Sequence, residues 1–269
     1  MRVGLSSRRL AAAAAGLLAD ELLGEPPLHP HPVAGFGAGM RAVERLAYSD
    51  RRVAGAVHAG AGLVLGAASG GLVGSTAVAT YLAVAGRALR DAAVEVEEAL
   101  RVGDLGRART LIPALVGRDP DDLDGKEMAR AVVESVAENT VDAVVAPAVW
   151  AALAGGAGAL GYRAVNTMDA TVGHRSARYE RYGWAAARLD DAANFVPARL
   201  TALLVAAVRP RRARAVLHAV KHQAPAHPSP NSGVAEAAFA AALGLRLGGT
   251  NSYGCLLYTS DAADDLTRV

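Results

Sequence analysis

The sequence predicts an all-α, multi-pass membrane protein, on three observations. Residues Val53–Gly86 contain no Asp, Glu, Lys or Arg, and neither do Ala143–Tyr162. No stretch of useful length alternates apolar and polar residues as a half-buried strand would. The chain of 269 residues is 52% hydrophobic, with a mean hydropathy of +0.21. A spanning helix needs about 20 apolar residues. Both uncharged windows reach that length, and the first can run on into a second helix. Leu10–Gly24, interrupted by Asp20 and Glu21, and Phe195–Val208, interrupted by Arg199, are weaker spans. Much of the apolar content is Ala and Gly, which contribute little to membrane transfer, so a soluble Ala-rich helical bundle stays open as the alternative.

Along the chain, Ser7-Arg8-Arg9-Leu10 and the alanine run after it resemble a secretory or twin-arginine signal. Acidic Asp20 and Glu21 stand where a cleavable signal carries small neutral residues, so a retained first membrane helix is the better expectation. Residues 25–32, with four prolines, cannot be helix interior and form an extended connector. An amphipathic helix over about Val33–Tyr48 follows, with Arg41, Glu44 and Arg45 on its polar side. Beyond the first uncharged window, Arg87–Val102 continues as a charged helix bearing Glu95, Glu97 and Glu98. Residues 104–125 read as loop, and a helix runs from about Lys126 toward Pro147.

Bulk composition excludes several classes of function. A net charge of +2 gives no electrostatic footprint for nucleic acid. Aromatics at 4% leave no stacking surface for single strands. The single cysteine, Cys255, rules out an internal disulfide or a cysteine-built zinc cluster.

Three polar clusters stand out against this apolar background. Arg130, Glu134, Glu138 and Asp142 recur every four residues on one expected helix, with Glu134 and Asp142 within roughly 80° around its axis. Carboxylates aligned this way suit Mg²⁺, or are a solvated face of ion pairs. The densest run, residues 164–200, holds Asn166, Asp169, His174, Arg175, Arg178, Tyr179, Arg188, Asp190, Asp191 and Asn194. Its arginines suit phosphate, while Arg178 with Glu180 and Arg188 with Asp191 also fit ordinary surface pairs. The third cluster, His227-Pro228-Ser229-Pro230-Asn231-Ser232-Gly233, precedes a helix with Glu236, where Asn231 or Ser232 would cap the helix start. No P-loop, HExxH, GxSxG or GxGxxG motif is present.

Three blocks together resemble the membrane-bound adenosylcobinamide-phosphate synthases (cobinamide synthases) of cobalamin biosynthesis. They are Gly117-Arg118-Asp119 with residues 131–147, residues 164–200, and residues 227–249. Asp20, Gly24-Glu25-Pro26 and His31-Pro32-Val33 are similar to the family's N-terminal signature. The resemblance implies a multi-pass protein of the bacterial inner membrane. The implied reaction is ATP-dependent amide formation between adenosylcobyric acid and (R)-1-amino-2-propanol or its O-phosphate, with Mg²⁺. It further implies contact with membrane lipid, and leaves open self-association or a complex with other proteins of the pathway.

For such a reaction, which needs carboxylates for Mg²⁺ and cations for triphosphate, Glu134, Glu138 and Asp142 are expected to bind metal or nucleotide phosphate. Glu138, Asp190 and Asp191 are the expected catalytic acids, the two aspartates holding metal or orienting the amine. Arg118, Arg175 and Arg178 are expected at phosphate, and Asn166, Asp169, His227 and Asn231 at substrate. A polytopic transporter or scaffold, its buried charges lining a permeation path, is the competing reading. The resemblance ends near Gly254. The segment from Cys255 to Val269 is unlike the family and resembles sequencing-adapter read-through. One membrane domain is therefore expected over residues 1–254, incomplete at its C-terminus, with 255–269 a non-native tail.

Overall fold

A computed structural model describes residues 6–117, 121, 123–174, 176–247, 249–253 and 256–260, with side chains described as far as Leu247. In chain order the helices are α1 (Ser7–Leu23), α2 (Pro32–Ala47), α3 (Arg52–Leu72), α4 (Thr76–Ala83), α5 (Gly86–Arg101), α6 (Leu105–Leu111) and α7 (Gly125–Thr140). A π turn, Val141–Val145, carries α7 into α8 (Ala146–Met168), which runs into a second π turn, Asp169–Gly173. There follow α9 (Trp184–Val208), α10 (Ala213–His222) and α11 (Ser232–Leu243).

The all-α expectation holds. The one addition is a short antiparallel pair, β1 (Gly249–Tyr253) and β2 (Leu256–Ser260), with Gly249 opposite Ser260 and Tyr253 opposite Leu256. The segment is too short to stand out as a strand pattern.

Among the described residues, three helical runs are long and apolar enough to cross a membrane: Arg52–Leu72, Gly125–Gly173 and Trp184–Val208. Both uncharged windows and the weaker Phe195–Val208 segment therefore lie in or around span-length helices. On α3, Val53, Val57, Val64, Leu65 and Leu72 are exposed, an outward apolar face suited to lipid. The N-terminal window differs from expectation. It forms the 17-residue α1, outside that set of three, and its Asp20 is buried, accepting the Arg87 backbone N–H at 3.0 Å.

By the contacts among its residues the chain divides into two compact units. The first comprises the described residues up to Arg87 together with Asp142–Asn194. Its helices meet through small residues. A β-carbon on Gly62 would lie 2.7 Å from Met168 Cε, one on Gly66 2.7 Å from the Leu160 carbonyl oxygen, and one on Gly70 2.9 Å from Ala157 Cα. This stripe at four-residue intervals lets α3 lie antiparallel against the C-terminal part of α8 at backbone distance, as closely packed membrane helices do. Ala13, Ala79, Ala83, Ala151 and Ala159 build a second close-packed core among α1, α4 and α8.

Helix α8 is not straight. Gly155 has φ 69° and ψ −151°, a conformation open essentially to glycine alone. The chain turns back there: a β-carbon on Gly158 would lie 2.8 Å from the Trp150 carbonyl carbon, whereas eight residues of straight helix would separate the two by about 12 Å.

The second unit comprises the described residues of 88–141 and those from Phe195 on. Val96, Ala99, Ala108, Ile112, Met128 and Ala131 form its core between α5, α6 and α7. Residues 104–125, expected as loop, thus include a helix. Asp104 caps it by accepting the Arg107 N–H at 2.9 Å, and Ala108 and Ile112 are buried in that core. Helix α7 opens on a capping box, in which Asp124 accepts the Glu127 N–H at 2.8 Å and Glu127 accepts the Asp124 N–H at 3.0 Å.

Candidate functional site

In the first unit the reversal at Gly155 gathers polar groups from distant positions. Tyr162 donates its hydroxyl to Asn194 Oδ1 at 2.8 Å and reaches Asp142 Oδ1 at 3.4 Å. Asn194 Nδ2 donates to Asp190 Oδ2 at 3.0 Å, and Asn166 Nδ2 to Asp190 Oδ1 at 3.3 Å. Arg163 Nη1 donates to Asn166 Oδ1 at 3.4 Å. Trp150 fixes α9 beside this cluster by donating from Nε1 to the Ala193 carbonyl at 3.1 Å. Asn194 is 2% exposed and Tyr162 is buried, while Asp142, Asn166 and Asp190 are half-buried, all on or beside span-length helical runs. Ionisable groups held there mark functional sites by default.

The sequence-predicted residues divide between clusters. Asp142, Asn166 and Asp190 come together. Asp169 sits in the second π turn with its carboxylate folded over Gly173. Asp191 faces Arg188 at 3.9 Å, the surface pair the spacing suggested. The four-residue rhythm from Glu134 to Asp142 is interrupted at Val141, where the π turn begins. Glu134 instead pairs with Arg130 at 3.7 Å, and Glu138 groups with His227 and Glu236. Arg118 and Arg175 lie outside the described residues. Tyr162, Arg163 and Trp150 carry no motif, and only the reversal at Gly155 reveals them.

Arg178 does not pair with Glu180. Its Nη2 donates to Glu44 Oε1 at 2.8 Å, and its guanidinium lies over the Tyr48 ring at 4.1 Å. Tyr179 donates to the same Glu44 oxygen at 3.2 Å. Glu44 is thus no member of a solvated face: it is 4% exposed, because the 174–183 segment folds over α2 and supplies its partners. Hydrogen bonding to Glu44 holds the Arg178 guanidinium above its ordinary pKa. Below this clamp, Tyr182 is hydrogen-bonded to His58. Burial first, then the Glu44 charge, pushes the Tyr182 phenol up to about 12.

In the second unit, His227 lies before α11 and Glu236 one turn inside it, and both group with Glu138 of α7. The side-chain cap of α11 is Ser229 rather than Asn231 or Ser232: its Oγ accepts the N–H of both at 3.2 Å. Asn231 Oδ1 instead accepts from Arg199 Nη1 at 2.9 Å. Burial lowers the His227 pKa, against the Ser229 backbone and the Glu134 charge, which raise it.

These two donor sets suit different ions. Asp142, Asp190, Asn166 and Asn194 offer oxygens, the donors Mg²⁺ prefers. The other set includes an imidazole.

The sequence has clear relatives. Residues 13–267 match the profile of the CobD/Cbib protein family, a range that includes most of the segment from Cys255 on. Over 251 residues the chain is 49% identical to the cobalamin biosynthesis protein CobD of Mycobacterium tuberculosis H37Rv, covering 88% of this chain and 80% of that one. It is 40% identical over 285 residues to the CobD of Pelobacter propionicus, covering 95% and 85%. To the CobD of Klebsiella pneumoniae it is 41% identical over 257 residues, covering 87% and 80%. No solved structure matches it.

Proposed function

Because the chain belongs to the CobD/Cbib family of cobalamin biosynthesis proteins, we propose that it joins adenosylcobyric acid to (R)-1-amino-2-propanol or its O-phosphate, with ATP hydrolysis. Its place would be a bacterial inner membrane, in keeping with three span-length helices and bacterial relatives. The observation that carries the proposal is the polar network around Asp190, made of oxygen acceptors and amide donors among membrane-length helices.

A carboxylate is a poor acyl donor. The corrinoid carboxylate oxygen would take the γ-phosphoryl group of ATP, releasing ADP. The amine nitrogen would then attack the acyl carbon, the C–N bond forming as the C–O bond to phosphate breaks. Asp190, which accepts from Asn166 and Asn194 on its two oxygens, would take the proton the amine loses. Removing that proton keeps the nitrogen nucleophilic. Mg²⁺, when bound, would neutralise triphosphate oxygens, and Asp142 is the member of the original carboxylate stripe left within the oxygen-only set. Arg163, beside Asn166, would offer a half-buried cation for the developing anionic oxygen.

The test is direct. Membranes containing the chain are incubated with adenosylcobyric acid, ATP, Mg²⁺ and the amino alcohol or its phosphate, and the corrinoids are resolved by mass spectrometry. A product heavier by one condensed amino alcohol is expected. Recovery of unchanged corrinoid, under conditions where membranes carrying a relative convert it, would sink the proposal and favour a transport or scaffold role.

A further inference from the structure

The second unit holds a group of side chains that the amide-forming steps drawn around Asp190 leave unused. One carboxylate oxygen each of Glu138 and Glu236 and a ring nitrogen of His227 all lie within 4.8 Å of one another. His227 Nε2 is 3.5 Å from Glu236 Oε1, and the two side chains are only 17% and 11% exposed. That separation is long for an N–H···O hydrogen bond. It is close to the spacing of two ligand atoms on one ion, since bonds of about 2.0–2.1 Å at a tetrahedral angle set their donors roughly 3.4 Å apart.

The surroundings hold the imidazole in place. Pro228 and Pro230 restrict the chain on either side of Ser229. Ser229 offers Nδ1 both of its backbone groups, the N–H at 3.0 Å and the carbonyl oxygen at 3.3 Å. An Nδ1 that accepts the shorter Ser229 N–H contact leaves the proton on Nε2. An Nδ1–H that donates to the carbonyl turns the Nε2 lone pair toward the carboxylates, so a bound ion selects this second tautomer. This is the arrangement in which histidine ligates metal. Gly233, at the start of α11, leaves the space the ring occupies: a β-carbon there would lie 3.1 Å from His227 Cγ and 2.7 Å from the Ala224 carbonyl oxygen.

We propose that Glu138, His227 and Glu236 form a binding site for a divalent transition-metal ion of the Zn²⁺ or Mn²⁺ class. Two carboxylates balance a dication, and the imidazole favours such ions over Mg²⁺. Three protein ligands leave a further position open to water or to an anionic oxygen. Its residues differ from those of the oxygen-only set around Asp190, and the inference holds whether or not the chain forms the amide.

The experiment uses the full chain in detergent micelles, stripped with a chelator, dialysed and titrated with ZnCl2 against a chromophoric competitor. One Zn²⁺ bound per chain is expected, with excess Mg²⁺ failing to displace it. His227→Ala and Glu236→Gln should each weaken binding by more than the roughly 10–100-fold that loss of a supporting hydrogen bond costs. Glu97→Gln, which removes an exposed carboxylate paired with Arg101, should leave it unchanged. If either ligand variant elutes as aggregate, Co²⁺-loaded wild-type chain decides the matter. Visible d–d bands that Zn²⁺ bleaches stoichiometrically support the site. Wild-type chain that retains neither ion, or folded His227→Ala and Glu236→Gln variants that bind as tightly as wild type, would overturn it.

Discussion

The Tyr162 hydroxyl lies 3.4 Å from Asp142 Oδ1, although twenty residues of nearly continuous helix separate them. In a straight helix that interval would be about 30 Å. The contact exists because the chain reverses at Gly155.

Gly155→Ala tests this. The positive φ of 69° with ψ −151° is strained for any residue with a β-carbon, by about 1–3 kcal/mol. The substituted side chain would also press on Thr76 Oγ1 at 3.2 Å. Lower resistance to unfolding in detergent is expected, together with loss of amide formation. A fully stable and active variant would show that the reversal is dispensable.

Asp190→Asn keeps the size of the side chain and removes its charge. If Asp190 takes the amine proton, the rate of amide formation should fall by at least about 10²-fold, with little change in apparent affinity for the corrinoid. Asp191→Asn, on the face paired with Arg188, should lose far less. Equal losses in the two variants would contradict the assignment.

Tyr162→Phe leaves the buried Asn194 carbonyl oxygen without its hydroxyl donor. A destabilisation of about 1–3 kcal/mol is expected, read as a lower unfolding midpoint in mixed micelles. No change in that midpoint would mean that water replaces the hydroxyl.

Tyr182 gives a pH prediction. Its phenol is pushed up to about 12 by burial, against about 10 in an unfolded chain. The folded state therefore binds this proton more tightly, and the stabilisation is complete below pH ~10 and lost as pH rises through ~12. Phenolate absorbance should show one tyrosine ionising late, with loss of helicity following it. Tyr182→Phe with the same alkaline unfolding curve as wild type would refute the link.

Glu44→Gln removes the acceptor shared by Arg178 and Tyr179. The 174–183 segment should become severalfold more sensitive to trypsin, measured by the rate of first cleavage in micelles. An unchanged rate would mean the stacking of Arg178 on Tyr48 is enough to hold it.

Much of the fold is legible in the sequence because span-length apolar windows and helical periodicity are local signals. The glycines at 62, 66 and 70 also spell out a small-residue packing stripe that sequence reading can find. The candidate site is less legible because its geometry depends on departures from regular helix. Gly155 is one of several glycines in a run of small residues, and nothing nearby marks it as the one with positive φ. The π turn beginning at Val141 interrupts a spacing that pure α-helix would have continued from Glu138 to Asp142. Glu44 reads as solvated because its partners, Arg178 and Tyr179, are more than 130 residues away. His227 has no visible partner in sequence until α11 brings Glu236 beside it.

The reversal at Gly155 also leads to a prediction about sidedness. Asp142 precedes it by thirteen residues and Asp169 follows it by fourteen, so each leg is about 20 Å long. The two carboxylates are therefore expected on the same side of the bilayer. Substrates drawn to either would then arrive from one aqueous compartment. Single cysteines at Val144→Cys and Ala170→Cys, with Cys255 replaced by Ser, should react with an impermeant maleimide from the same side of sealed vesicles; labelling from opposite sides would refute this.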